Sequence, residues 1–386
     1  MRNNIYFAFL IFLSTTCFST AVEGQNPKLI HTHSFPIEEI KYAQMRNLTN
    51  FARSGNLIAV NKEKALLQIG NSDLMVIELD SGRIEKKMDM HKLLQWVTKS
   101  LHEHWGEEYC VPGRESFHGN VKPEFYAIRF DRIIEYPAKG QLATLTHSVV
   151  FNQEKDNERD IFIGLLVFNE NLEILDFYAL KGYEVLKRRP ALNRGSFFHG
   201  DTLFTMDWAL NDQLDYEFIK FEKKTEGYFQ MADTMNHWPL LESNVSGPGS
   251  FQKAVEREDG FHIPMGDKVL ILQDFPDSGL LKELPLNTDE FIYTLEPIGP
   301  EGWAVTLVIH RFWNIHNEEV SVSGHLSLIE PGYQRIIPKE KYNFHERSLR
   351  SMSVLENKLY ILFFNFQKMK FIIEVFDFGE GEGKEN

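Results

Sequence analysis

The sequence predicts an all-β protein, a six-bladed β-propeller with one inserted helix near residues 89–105. Two observations carry this. Short runs of alternating apolar and polar residues, split by turn residues, dominate the chain, and a period of two is strand spacing rather than helix spacing. A strand–turn–strand unit also recurs at a regular interval. The segments are 74–79 with 83–88, 165–168 with 172–175, 216–221 with 228–231, 269–272 with 280–284, and 325–329 with 333–337; 370–376 is a sixth copy without its second strand. With Leu74, Leu165, Phe218, Leu270, Leu326 and Phe371 as equivalent points, the intervals are 91, 53, 52, 56 and 45 residues. Four of the five lie near the length of a propeller blade.

The long interval contains Met90, Leu94, Val97, Leu101 and Trp105, stepping as one apolar helix face, with Asp89 as its N-cap. One blade plus an inserted helix accounts for it; two shorter blades, seven in all, are the alternative. Upstream of the hairpins lie further strands at 56–60, 141–146, 202–207, 302–308 and 358–364. Three or four strands per unit make a blade. The segment 28–34 supplies the strand that the sixth unit lacks, and such a closure removes an open sheet edge. A β-sandwich is the competing architecture. The expected organisation is a signal segment over 1–24, a single propeller domain over 25–378 and a polar tail over 379–386.

The start has the layout of a secretory signal: Arg2, an apolar run from Ile5 to Leu13, then small residues. That run is too short for a bilayer, which needs about 20 apolar residues. Cys17 offers a lipid anchor as an alternative, although Ser14 and Thr16 fit a lipobox poorly. The expectation is an exported protein, periplasmic, secreted or at the cell surface, with no transmembrane span in the mature chain.

The 386 residues carry 41 Lys and Arg against 55 Asp and Glu, a net charge of −14. That balance disfavours nucleic acid and anionic membrane as partners. Hydrophobic residues make up 43%, enough for a large core, and two cysteines exclude a disulfide scaffold. The 31 Phe among short strands read first as packing between blades.

The signal-like start, followed by units of about 50 residues that end in hairpins such as Leu74–Met88 and Val269–Leu284, resembles the secreted or lipid-anchored six-bladed propeller proteins of Bacteroidetes. The resemblance spans residues 28–378 and is one of pattern. The chain has no WD dipeptide ending a blade, no kelch double glycine, no YWTD and no sialidase-type Asp box. The resemblance therefore assigns no site residue.

Signatures of common hydrolases and nucleotide-binding proteins are missing too: no H-E-x-x-H, no Walker A, no G-x-S-x-G and no G-x-G-x-x-G. One echo remains. Arg114-Glu-Ser-Phe-His118-Gly-Asn resembles Arg194-Gly-Ser-Phe-Phe-His199-Gly-Asp, with weaker copies around His262 and around His345 and Arg347. Equivalent loops of successive blades line one funnel, so these His and Arg would converge on an anionic small molecule or glycan. Trp238 and Trp313 lie in expected loops and are candidates for stacking on sugar rings. Against this stands a structural reading, in which Phe packs, His caps backbone groups and Gly-Asp turns the chain.

The leading expectation is a non-enzymatic binding or scaffold protein for a protein, small-molecule or glycan partner, and it leaves the cofactor open. The alternative is a propeller hydrolase or lyase acting on a glycan or lactone, with a divalent metal at the axis. An extracytoplasmic sensor or assembly component is a third.

Overall fold

The computed structural model describes residues 27–36, 55–69, 73–79, 81–111, 128–155, 158–182, 196–208, 216–235, 254–264, 266–273, 279–292, 294–299, 302–311, 322–343, 347–365, 367–368 and 370–378. The expected signal segment with Cys17 and the polar tail lie outside them. The described chain is almost entirely β-strand, with one α-helix and no helix long and apolar enough to cross a membrane. It divides into two compact units.

The first unit holds three meanders. In the first, β2 (Gly55–Ala59), β3 (Lys64–Ile69), β4 (Asp73–Glu78) and β5 (Ile84–Lys87) pair in chain order. Helix α1 (Met90–His104) and the short β6 (Tyr109–Cys110) follow. The second meander runs β7 (Ile128–Glu135), β8 (Gln141–Asn152), β9 (Glu158–Asn169) and β10 (Ile174–Lys181). The third runs β11 (Ser196–His199), β12 (Thr202–Trp208), β13 (Tyr216–Lys223) and β14 (Tyr228–Met235). The outer strands β10 and β14 then pair in parallel, Ala179 opposite Tyr228 and Lys181 opposite Gln230, and fuse the two meanders into a nine-stranded sheet that also takes in β6.

The second unit also holds three. One is β15 (Val255–Arg257), β16 (Gly260–Pro264), β17 (Lys268–Leu272) and β18 (Leu280–Glu283). In the next, β19 (Glu290–Ile292) and β20 (Glu296–Ile298) share the place of first strand against β21 (Trp303–Arg311), with β22 (Val322–Ile329) and β23 (Ile336–Asn343) beyond. The last is β24 (Arg347–Leu355), β25 (Lys358–Asn365) and β26 (Lys370–Asp377), and β1 (Lys28–Pro36) is its fourth strand. The six residues taken as equivalent in the sequence all fall on the third strand of a meander, and 28–34 pairs beside 370–376 as expected.

Local chemistry explains the elements. Asp89 caps α1, its side chain accepting from the His91 and Lys92 amides at 3.0 Å. The buried stripe is Leu93, Val97, Ser100 and Leu101, with Met90, Leu94 and Trp105 at its margins. The face is thus turned from the stepping Met90–Leu94 pattern, because Leu93 enters the core. Strand β9 departs from alternation: residues 162–168 are all buried. On one face Phe162, Leu166 and Phe168 pack with Phe130 and α1, and on the other Ile163, Leu165 and Val167 pack with Leu145 and Phe229, so both need apolar side chains. Gly164 sits in this run because a Cβ there would lie 2.2 Å from the Phe177 ring. In the second unit, Trp303, Leu307, Leu328, Leu359 and Phe363 join its last two meanders. Trp303 is therefore packing.

Candidate functional site

Of the residues singled out in the sequence, Arg114, His118, Arg194, Trp238, Trp313 and His345 lie outside the described residues. Arg347 begins β24, but its side chain is outside the description. His199 and His262 can be placed. His199 ends β11, on the first strand of its meander, and is exposed. His262 lies on the second strand of its own, β16, and is buried. The two do not mark one repeated strand position.

The turn after His199 leads to a pocket in the first unit. Gly200 takes a φ of 56° there, which lets the chain reverse from β11 into β12. A pocket of about 740 Å³ opens beside this turn, lined by Asp176 and Tyr178 of β10, Asp201 and Thr202, and the β13–β14 hairpin from Glu222 to Gly227. At its base the Lys223 ammonium donates to the Tyr178 hydroxyl at 2.9 Å and the Tyr136 hydroxyl at 3.1 Å. It stands 4.4 Å from the centre of the Tyr178 ring. Burial works against the Lys223 charge, but the bonds to the two phenols outweigh it and hold the ammonium above the usual lysine range. Tyr178 is pushed up to about 12, by burial first and then by its hydrogen bond with Asp176. Glu222 is bound by Lys220 at 2.9 Å and Lys224 at 3.2 Å, and these bonds keep its carboxyl below the ordinary range.

The pocket offers carboxylate acceptors at Asp176, Asp201 and Glu222, hydroxyls at Thr202 and Thr225, and an ammonium at Lys224. Lys223 stands over the Tyr178 ring, so the lining offers hydrogen-bonding groups rather than a bare aromatic face. Of these residues only Asp201 belonged to a motif singled out in the sequence, as the turn-forming Asp after His199. They come from three strands and two turns, and the nearest other signal was the charged run Glu222-Lys-Lys-Thr-Glu within a hairpin.

His262, in the second unit, belongs to a closed network. Its Nε2 lies 2.7 Å from the Asp259 carboxylate, and its Nδ1 meets the Tyr333 hydroxyl. The carboxylate can only accept, so Nε2 carries the proton and Tyr333 donates to Nδ1. Burial is the main force holding His262 below the usual histidine range, and the Asp259 charge opposes it. Burial also raises Tyr333. Tyr333 takes a φ of 61°, rare for an aromatic residue, after Gly332 at 74°. Gly260, at 121°, opens β16; a Cβ there would lie 2.2 Å from the Leu272 carbonyl oxygen. This arrangement ties the β15–β16 turn to the turn between β22 and β23.

On α1, His102 reaches the Tyr109 carbonyl at 3.1 Å and His104 lies edge-on to Tyr228. Among the described residues, no group of three or more His, Cys, Asp or Glu side chains is arranged to hold a metal ion.

No protein-family model matches the chain, and no curated protein sequence does. Among solved structures, the chain is similar to the β-propeller domain of Cps50 (Swd1) from Myceliophteria thermophila at 8% identity, over 91% of this chain and 99% of that one, with a TM-score of 0.39. It is similar to YjhT at 9% identity, over 84% and 94%, with a TM-score of 0.45. It is also similar to the periplasmic gluconolactonase PpgL of Pseudomonas aeruginosa at 9% identity, over 81% and 92%, with a TM-score of 0.38. No residue role passes to this chain from likenesses of this depth.

Proposed function

We propose that the protein is an exported six-bladed β-propeller that binds a polyhydroxylated small molecule, a sugar or short glycan, without transforming it. Six meanders that each carry one repeat on the third strand support the blade count, and β1 beside β26 supports closure of the ring. The observation that carries the function is the pocket between β10, the β11–β12 turn and the β13–β14 hairpin. Its carboxylates, hydroxyls and ammonium alternate acceptors and donors, as the hydroxyls of a sugar require. Each hydroxyl can donate to a carboxylate and accept from lysine or threonine. The paired charges of Lys223 and Glu222 hold the lining in place before a ligand arrives, so less ordering accompanies binding.

Saturation-transfer NMR with a panel of neutral mono- and oligosaccharides tests this. Binding is expected for at least one member, weakened tenfold or more in Asp201→Asn and in Lys223→Met. A panel without binders, or binding that both variants leave unchanged, overturns the assignment.

A further inference from the structure

Arg257, at the end of β15, has an unused face. Its Nη1 donates to the Gly302 carbonyl, and its guanidinium stands 5.8 Å from the centre of the Tyr333 ring. Its Nε and Nη2 are shielded from solvent and have no hydrogen-bond partner among the described residues. These two nitrogens form the side-on edge of the guanidinium, whose parallel N–H bonds match the two oxygens of a carboxylate. Buried donors without acceptors are costly, more so on a charged group, and native structures resolve them with a water or an ion.

The Asp259 carboxylate does not serve. It bonds His262 Nε2, and His262 is held neutral by its burial, with the Arg257 charge acting in the same direction. A second cation stands close, with the Lys282 ammonium on the Gly332 carbonyl. Glu258 and Asp259 in the turn that follows are exposed, so the site lies just beneath the surface. We infer that the Nε–Nη2 edge of Arg257 is a binding site for a small carboxylate, seated on the wall made by Tyr333, His262 and the Gly302 carbonyl.

The site is separate from the pocket of the first unit and has its own probe. Acetate and citrate are titrated at constant ionic strength against the wild type, Arg257→Lys and Arg257→Met. The readouts are the Arg257 Nε–Hε cross-peak and the melting temperature. A saturable shift of that cross-peak is expected in the wild type, with affinity at least tenfold weaker in Arg257→Lys, which keeps the charge and loses the fork. Asp201→Asn is expected to bind the carboxylates like the wild type. Inorganic phosphate, run in parallel, is expected to bind more weakly; phosphate binding without carboxylate binding overturns the ligand class. An Arg257 cross-peak that none of the anions moves means that water fills the edge and overturns the site. Equal affinity in wild type and Arg257→Lys places the anion elsewhere and also overturns it. If Arg257→Met does not fold, the wild-type cross-peak and the lysine variant still decide.

Discussion

The two units are built alike, from three meanders each, but the polar groups around their candidate sites are buried differently. In the first, the seam between β10 and β14 brings two hairpins together, and the charges beside it stay near solvent in pairs, Glu222 with two lysines and Lys223 with two phenols. In the second, the sheets keep separate outer edges, and His262, Tyr333 and one edge of Arg257 go inside. A hydrated charge can trade its partner for a ligand at little loss, whereas a buried one has to be satisfied in place. The first arrangement therefore suits reversible binding of hydroxyls. The second couples its polar groups to the integrity of the fold.

The largest effect that could break this contrast lies in the cores. Phe162 stands edge-on to Trp105 and close to Phe177 on the doubly covered β9. Phe162→Ala should cost about 3–5 kcal/mol, and Phe363→Ala, buried between the last two meanders, a similar amount. Urea titrations measure both. A loss under about 1 kcal/mol at Phe162 would show that α1 and β9 close over the cavity.

Acid tests the histidines of both units next. His262 titrates below its ordinary range when folded and at about 6.5 when unfolded. The unfolded chain then binds the proton first, so the stabilisation is present above about pH 6.5 and is lost as pH falls toward the lower folded value. His325 shifts the same way through its burial, and so does His104 in the first unit. Melting temperature should therefore fall on acidification, and His262→Gln should flatten part of that fall. An unchanged slope in the variant would remove His262 from the account.

Lys223→Met removes the donor to two phenols and should cost about 1–2 kcal/mol. It should also move the Tyr178 titration further up from about 12, since the lysine bond is what lowers it. Ultraviolet titration at high pH reads that change; a downward move would mean the ammonium does not sit between the phenols. The smallest effect is at the cap of α1, where Asp89→Ala should cost about 1 kcal/mol, seen as a shift in urea midpoint with the slope unchanged.

Much of the strand plan was legible in the sequence because it rests on local pattern. Leu74, Leu165, Phe218, Leu270, Leu326 and Phe371 recur at the same point of each meander, on the third strand. Asp89 announced its helix through a side chain that needs only the next three residues. The β9 run was harder, because continuous burial erases the alternation that marks a strand. The candidate site was not legible. His262 drew notice through a loose echo of His199, yet it occupies a different strand position.

Local repetition thus set the elements, their order and the spare strand at 28–34 that pairs beside β26. Long-range packing decided the rest. The β10–β14 seam joins residues about 50 apart. The pocket gathers Asp176 and Lys223 from separate strands and Asp201 from a turn, and Tyr333 meets His262 across 71 residues. Hydrophobic periodicity reports which face of a strand is buried, but not which polar group from another strand will be buried with it. That depends on how the sheets stack, where burial and charge shift the ionisation of Lys223, Tyr178 and His262 together.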